Sequence, residues 1–170
     1  KHYINEIRKI NNCNATFLIP ETFLTIKDLL FIGTYPSRLK QLLFSDTIRF
    51  NTTNITSLVN EDLYQNISNG SSRLGLIKYC FSKRLKDTPV NIKTLLIWFE
   101  NQSHDKGLCL GFNTYHPDTV TIGYQGSFSH QHYFCFNPTE TEKKAQVIPQ
   151  RVAVIGTEQA NDIRSYCPSL

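Results

Sequence analysis

The second half of the chain alternates short β-forming runs with turn-forming residues, and that rhythm restricts the folds open to it. Residues 93–99, 107–112, 119–124 and 131–136 are four runs rich in branched and aromatic side chains, and 150–156 is a fifth. Between them, 101–106, 113–118 and 125–129 carry Asn, Asp, Gly, Pro and Ser, the residues of turns. Short strands joined by such turns read as an antiparallel β-meander.

The first half reads differently. Pro36 opens a helix over 37–44 with Leu39, Leu42 and Leu43 on one face. Thr56 can cap a second helix carrying Val59, Leu63 and Ile67, which 69–72 would end. Tyr3, Ile4, Ile7 and Ile10 form a weak helical stripe, whereas 16–19 and 24–32 are β-compatible runs broken by Pro20. The run 74–85 is divided: Leu74, Ile77, Phe81 and Leu85 suit a helix, and Gly75 weakens it. The expected fold is α+β, with an antiparallel sheet mainly in the second half and a few short helices mainly in the first. At 170 residues, one domain over 1–170 suffices, large enough for a real core.

The sequence repeats the N-glycosylation acceptor pattern at Asn14, Asn51, Asn54, Asn66, Asn69 and Asn101. Chance would give about two or three such triplets, so six point toward a secreted glycoprotein. An occupied site must face solvent, because a bulky hydrophilic glycan cannot enter a core. Cys13, Cys80, Cys109, Cys135 and Cys167 contain no CxxC pair, which leaves zinc-ribbon and thioredoxin readings without support. In an oxidising compartment two bridges and one leftover thiol are expected. Strand alternation suggests a Cys109–Cys135 bridge, if the runs holding them lie side by side.

The longest apolar run, Leu95 to Phe99, is far short of a bilayer span of about 20 residues. The N-terminus lacks the apolar core of a signal peptide, and the absence of Met suggests an excerpt of a longer protein. A net charge of +4 with scattered basic residues gives no dense patch for nucleic acid.

His130 and His132 share a face if their run is a strand, the spacing by which two imidazoles reach one zinc ion. No third ligand sits in a recognised motif, and no GxSxG, HExxH or phosphate-loop pattern occurs. No catalytic residue, metal or cofactor is therefore assigned. Tyr115, His116, Phe128, His130 and His132 cluster in and beside turns, where aromatic side chains with polar tips favour contact with a partner.

In its acceptor sites, absence of Met, lack of an anchor and odd cysteine count, the chain resembles the attachment ectodomains of viral envelope glycoproteins. That resemblance implies a non-enzymatic extracellular domain at the virion or cell surface. It would bind a host cell-surface protein or glycan, with 107–170 as the bare face and 51–69 as the glycan-shielded one. Two alternatives are a soluble secreted ligand or immune-modulating protein, and a secreted His-based or zinc-dependent hydrolase. Histidines in the contact surface would make binding respond to pH near 6–7.

Overall fold

The computed structural model describes residues 16–43, 46–127 and 134–170. The Tyr3–Ile10 stripe, Asn14 and Cys13 lie outside the described residues.

Mixed α and β content stands, but its arrangement departs from the meander. A 3-10 turn at Pro20–Phe23 leads into α1 (Ile26–Gly33) and α2 (Tyr35–Lys40). Strands β1 (Arg49–Phe50) and β2 (Thr53–Asn54) form a two-stranded antiparallel hairpin, with Asn51 at φ 53 in its turn. Helices α3 (Thr56–Gln65) and α4 (Gly70–Leu85) follow. Then β3 (Thr94–Trp98), α5 (Ser103–Tyr115), β4 (Val120–Gln125), α6 (Glu140–Lys144), β5 (Arg151–Val154) and α7 (Thr157–Tyr166) complete the chain. Strands β3, β4 and β5 lie side by side in chain order, both pairs parallel.

The expected antiparallel sheet is therefore replaced by a parallel one, and helices occupy both halves. The decisive difference is 107–112, which is not a strand but the middle of α5. Cys109, Gly111 and Phe112 are buried there and Leu108 packs inward, so the segment shows no polar stripe by which to recognise a helix. Because α5 takes up the interval between β3 and β4, their connection is a crossover, and a crossover joins parallel strands. The run 24–32 is likewise helical rather than extended. Thr25 and Asp28 make a capping box: the Asp28 N–H donates to Thr25 Oγ1 at 3.3 Å, and the Thr25 N–H donates to Asp28 Oδ2 at 2.9 Å. The helix at Thr56 forms, although Ile55 is its N-cap, and Asn69 caps α4 instead of ending α3.

Two clusters make the core. Ile97, Phe99, Cys109, Ile148 and Cys167 join β3 to α5 and the C-terminal segment. Phe81, Leu85 and Phe112 join α4 to α5, with Phe23 edge-on to Phe81 at 5.2 Å. Burying a ring such as Phe99 completely contributes about 2–3 kcal/mol. Gly123 on β4 permits this packing, since a Cβ there would lie 2.8 Å from that of Phe99.

No disulfide forms among the described residues. Cys80, Cys109, Cys135 and Cys167 are free thiols, and the expected Cys109–Cys135 bridge fails because Cys109 sits inside a buried helix. Burial raises the Cys80 thiol above its ordinary range and pushes that of Cys109 up to about 12, so neither is an activated nucleophile.

Candidate ligand site at the carboxyl edge of the sheet

The carboxyl ends of β3 and β4 hold the polar groups that most need an explanation. After Trp98 the chain stays in register for one more residue, the Phe99 N–H donating to the Tyr124 carbonyl at 2.9 Å. It then turns sharply into α5 through Asn101, whose φ of 56 lies in the left-handed region. Asp105, in the first turn of α5, secures that turn. Its Oδ2 accepts from the N–H of Glu100 at 3.1 Å and of Gln102 at 3.2 Å, while His104 Nε2 stands 3.3 Å from Oδ1.

Asn101 is only 7% exposed. Its Nδ2 donates to both Glu142 oxygens, at 3.2 and 3.4 Å, but its Oδ1 is buried with no partner. Glu142 on α6 also accepts from Lys106 Nζ at 2.6 Å and from the N–H and hydroxyl of Thr139. Burial alone would raise the Glu142 carboxyl, yet the Lys106 and Thr139 hydrogen bonds carry it below its ordinary value.

One strand over, Gln125 ends β4 fully buried, its Nε2 donating to the Phe136 carbonyl at 2.9 Å. Its Oε1 accepts from Gln159 Nε2 at 3.1 Å. Gln159 belongs to the first turn of α7, where Gly156 offers no capping side chain, and its own Oε1 is the second buried oxygen without a partner. Each such orphan costs about 1–3 kcal/mol, and a native protein retains one for a reason. Both are amide oxygens, which accept hydrogen bonds and transfer no proton. The nearby carboxylates of Asp105 and Glu142 are already taken up by protein donors. Both orphaned oxygens lie just beyond the carboxyl ends of the strands, one after β3 and one in the first turn of the helix after β5.

The residues expected to meet a partner are distributed differently. Tyr115 and His116 lie together at the opposite end of the sheet, lining a cleft of about 470 Å³ with Lys86, Asn91 and Asp118. Their polar atoms are engaged internally. The Tyr115 and Tyr79 hydroxyls pair at 2.8 Å, which together with burial pushes Tyr79 up to about 12. His116 Nε2 donates to the Ser82 carbonyl at 2.8 Å while its ring stacks on Phe112. Phe128, His130 and His132 lie outside the described residues.

Of the acceptor asparagines, Asn51, Asn54 and Asn69 are exposed. Asn66 is half-buried, with Nδ2 donating to the Asp62 carbonyl. Asn101 departs from the expectation: Nδ2, the atom a glycan would occupy, is buried against Glu142. In this structure Asn101 is therefore not presented to solvent as an acceptor site would be. The better signal was its place between the end of a strand and an Asp in the first turn of a helix. Nothing local distinguished Gln125 or Gln159, because their roles arise only when β4 and α7 meet.

Among the described residues no helix is long and apolar enough to cross a membrane. No family model matches the chain, and comparison with curated proteins and with solved structures gave no match.

Proposed function

We propose that the chain is a recognition domain that binds hydroxyl groups of a glycan at the carboxyl edge of its parallel sheet. The observation that carries this reading is the Oδ1 of Asn101, buried without a partner on a residue held in a left-handed turn. Gln159 Oε1 supplies a second acceptor of the same kind. Two neutral acceptors favour a neutral donor such as a sugar hydroxyl. A cationic ligand would call for carboxylates, and those of Asp105 and Glu142 are occupied. The same occupation favours binding over acid–base catalysis. Titration calorimetry with galactose, mannose and N-acetylglucosamine tests this. Heat of binding from at least one sugar, lost in Asn101→Gly, is expected; no heat up to about 10 mM from any of them would refute it.

A second reading, attachment at the surface of an enveloped virus, draws on the exposure of Asn51, Asn54 and Asn69. Glycans there would shield the hairpin and the start of α4, where Ser71 meets Ser103 close to the carboxyl edge. Intact mass of the chain from a secretory host, before and after enzymatic deglycosylation, tests it. An unchanged mass removes this reading and leaves the carboxyl-edge reading standing.

A further inference from the structure

Parallel sheets are almost always covered on both faces, because their crossovers lay helices over them. Here the inner face carries Leu95, Ile97, Phe99 and Val152 against α5 and the C-terminal segment. Among the described residues, the other face is exposed. Leu96 and Ile122 form one row across the strands with Arg151, and Trp98 and Tyr124 form the next with Ala153. Leu96 is 67% exposed, Trp98 55% and Ile155, just past β5, 42%. Trp98 and Tyr124 stand edge to face at 5.6 Å, so the aromatic pair is ordered by its own contacts. A contiguous apolar surface of this kind marks an interaction site.

We infer that this face self-associates, two copies packing sheet on sheet about a two-fold axis that passes over Tyr124. The charges at its corners single out a second copy as the occupant. Glu100 continues the β3 column beyond Trp98, whose indole N–H donates to its Oε1 at 2.8 Å. Arg151 lies diagonally opposite, in the row of Leu96 on the far strand, with Tyr124 midway between the two. A two-fold axis in the plane between copies, aligned to exchange these corners, sets each Glu100 against the second copy's Arg151, once at either end. It lays Trp98 over the second copy's Leu96 and Ile122, with strands crossing steeply as in orthogonal sheet packing. A self-complementary patch of this form is what an isologous dimer requires. Three short strands bury less than a standard interface, so the dimer is weak and depends on concentration.

Sedimentation equilibrium of the full chain, over about a hundredfold range of concentration, tests this. A reversible monomer–dimer equilibrium is expected, abolished by Leu96→Asp. Glu100→Arg and Arg151→Glu should each weaken association about tenfold, and the double exchange should restore it to within about threefold of the native chain. That rescue would not follow if either residue acted only within its own copy, and it decides the matter even if Leu96→Asp fails to fold. A chain that stays monomeric throughout overturns the inference. So does association that survives Leu96→Asp, as it would if Ile26 and Leu30, exposed on α1, were responsible.

Discussion

Gly75 and Gly107 bring the backbones of α4 and α5 into direct contact. A Cβ on Gly107 would stand 2.0 Å from the Gly75 carbonyl oxygen, and one on Gly75 would stand 2.6 Å from the Ser103 carbonyl oxygen. Gly111 meets Ser82 as closely, and the Ser71 and Ser103 hydroxyls hydrogen-bond across the crossing at 2.6 Å. The helices can approach this closely only because their facing positions are glycine and serine. This crossing fixes where α5 lies on the sheet, and so where Asn101 lies.

Gly107→Ala should therefore force the helices apart. A backbone atom cannot rotate away as a side chain can, so a loss of about 3 kcal/mol or more is expected in chemical denaturation. Gly33→Ala, at the end of α1 with nothing within 4 Å of the added methyl, serves as the control. It should be neutral or stabilise by about 0.4–1 kcal/mol. Equal effects at the two glycines would show that the close crossing is absent in solution.

The link between α1 and α4 should be sensitive to acid. Arg84 donates to both oxygens of the buried Asp28, at 2.7 Å through Nε and 2.8 Å through Nη2. Chiefly through those bonds, and despite burial, the Asp28 carboxyl is held well below the usual carboxylate range. A group with a depressed folded-state pKa stabilises fully above its unfolded value, near 4, and loses that contribution as pH falls toward the folded value. Thermal unfolding should show a loss between about pH 4 and pH 2 that is missing in Asp28→Asn. That variant should be about 2–3 kcal/mol less stable than the native chain at pH 7. Parallel pH profiles for the two proteins would remove Asp28 as the cause.

Cys80, Cys109 and Cys167 should resist alkylation in the native chain and react on unfolding. Burial raises all three thiols above their ordinary range, which leaves little thiolate at neutral pH. Mass spectrometry after a brief iodoacetamide pulse, without reductant, reads this directly. A cystine-linked peptide containing any of the three would contradict the fold described here.

Asn101 separates stability from recognition. Glycine occupies the left-handed region freely, so Asn101→Gly removes both the strain and the orphaned oxygen while losing the bond to Glu142. Its stability should lie within about 1 kcal/mol of the native chain. Asn101→Val keeps the unfavourable backbone, adds a branched Cβ and loses the Glu142 bond, and should cost about 2–3 kcal/mol. A glycine variant as unstable as the valine one would make the side chain a structural anchor, and the site reading would fall.

Much of the element content was legible in the sequence, because β3, β4 and β5 are short runs of branched and aromatic residues bounded by turn formers. The topology was not. It depended on 107–112, where Leu108, Leu110 and Phe112 alternate as in a strand, with Gly107 at the start of the run and Gly111 within it. Those glycines serve contact with α4, a partner about thirty residues away that no local pattern reveals. The capping box at Thr25 and Asp28 was readable and would have corrected the run 24–32. The cysteines suggested bridges because their number and scatter fit an oxidising compartment, whereas three of them fill the core as small apolar side chains. The triplet at Asn101 matches the acceptor pattern, yet local sequence could not show that its side chain is buried against Glu142.

The proposed glycan site receives donor groups at Asn101 Oδ1 and Gln159 Oε1. The most direct measurement follows the side-chain amide signals of Asn101, Gln125 and Gln159 in a ¹⁵N-labelled chain titrated with galactose, mannose and N-acetylglucosamine. Saturable shifts concentrated on those three amides, and lost for Gln125 and Gln159 in Asn101→Gly, are the expected result. Shifts confined to the Tyr115–His116 cleft, or none for any sugar, would contradict it.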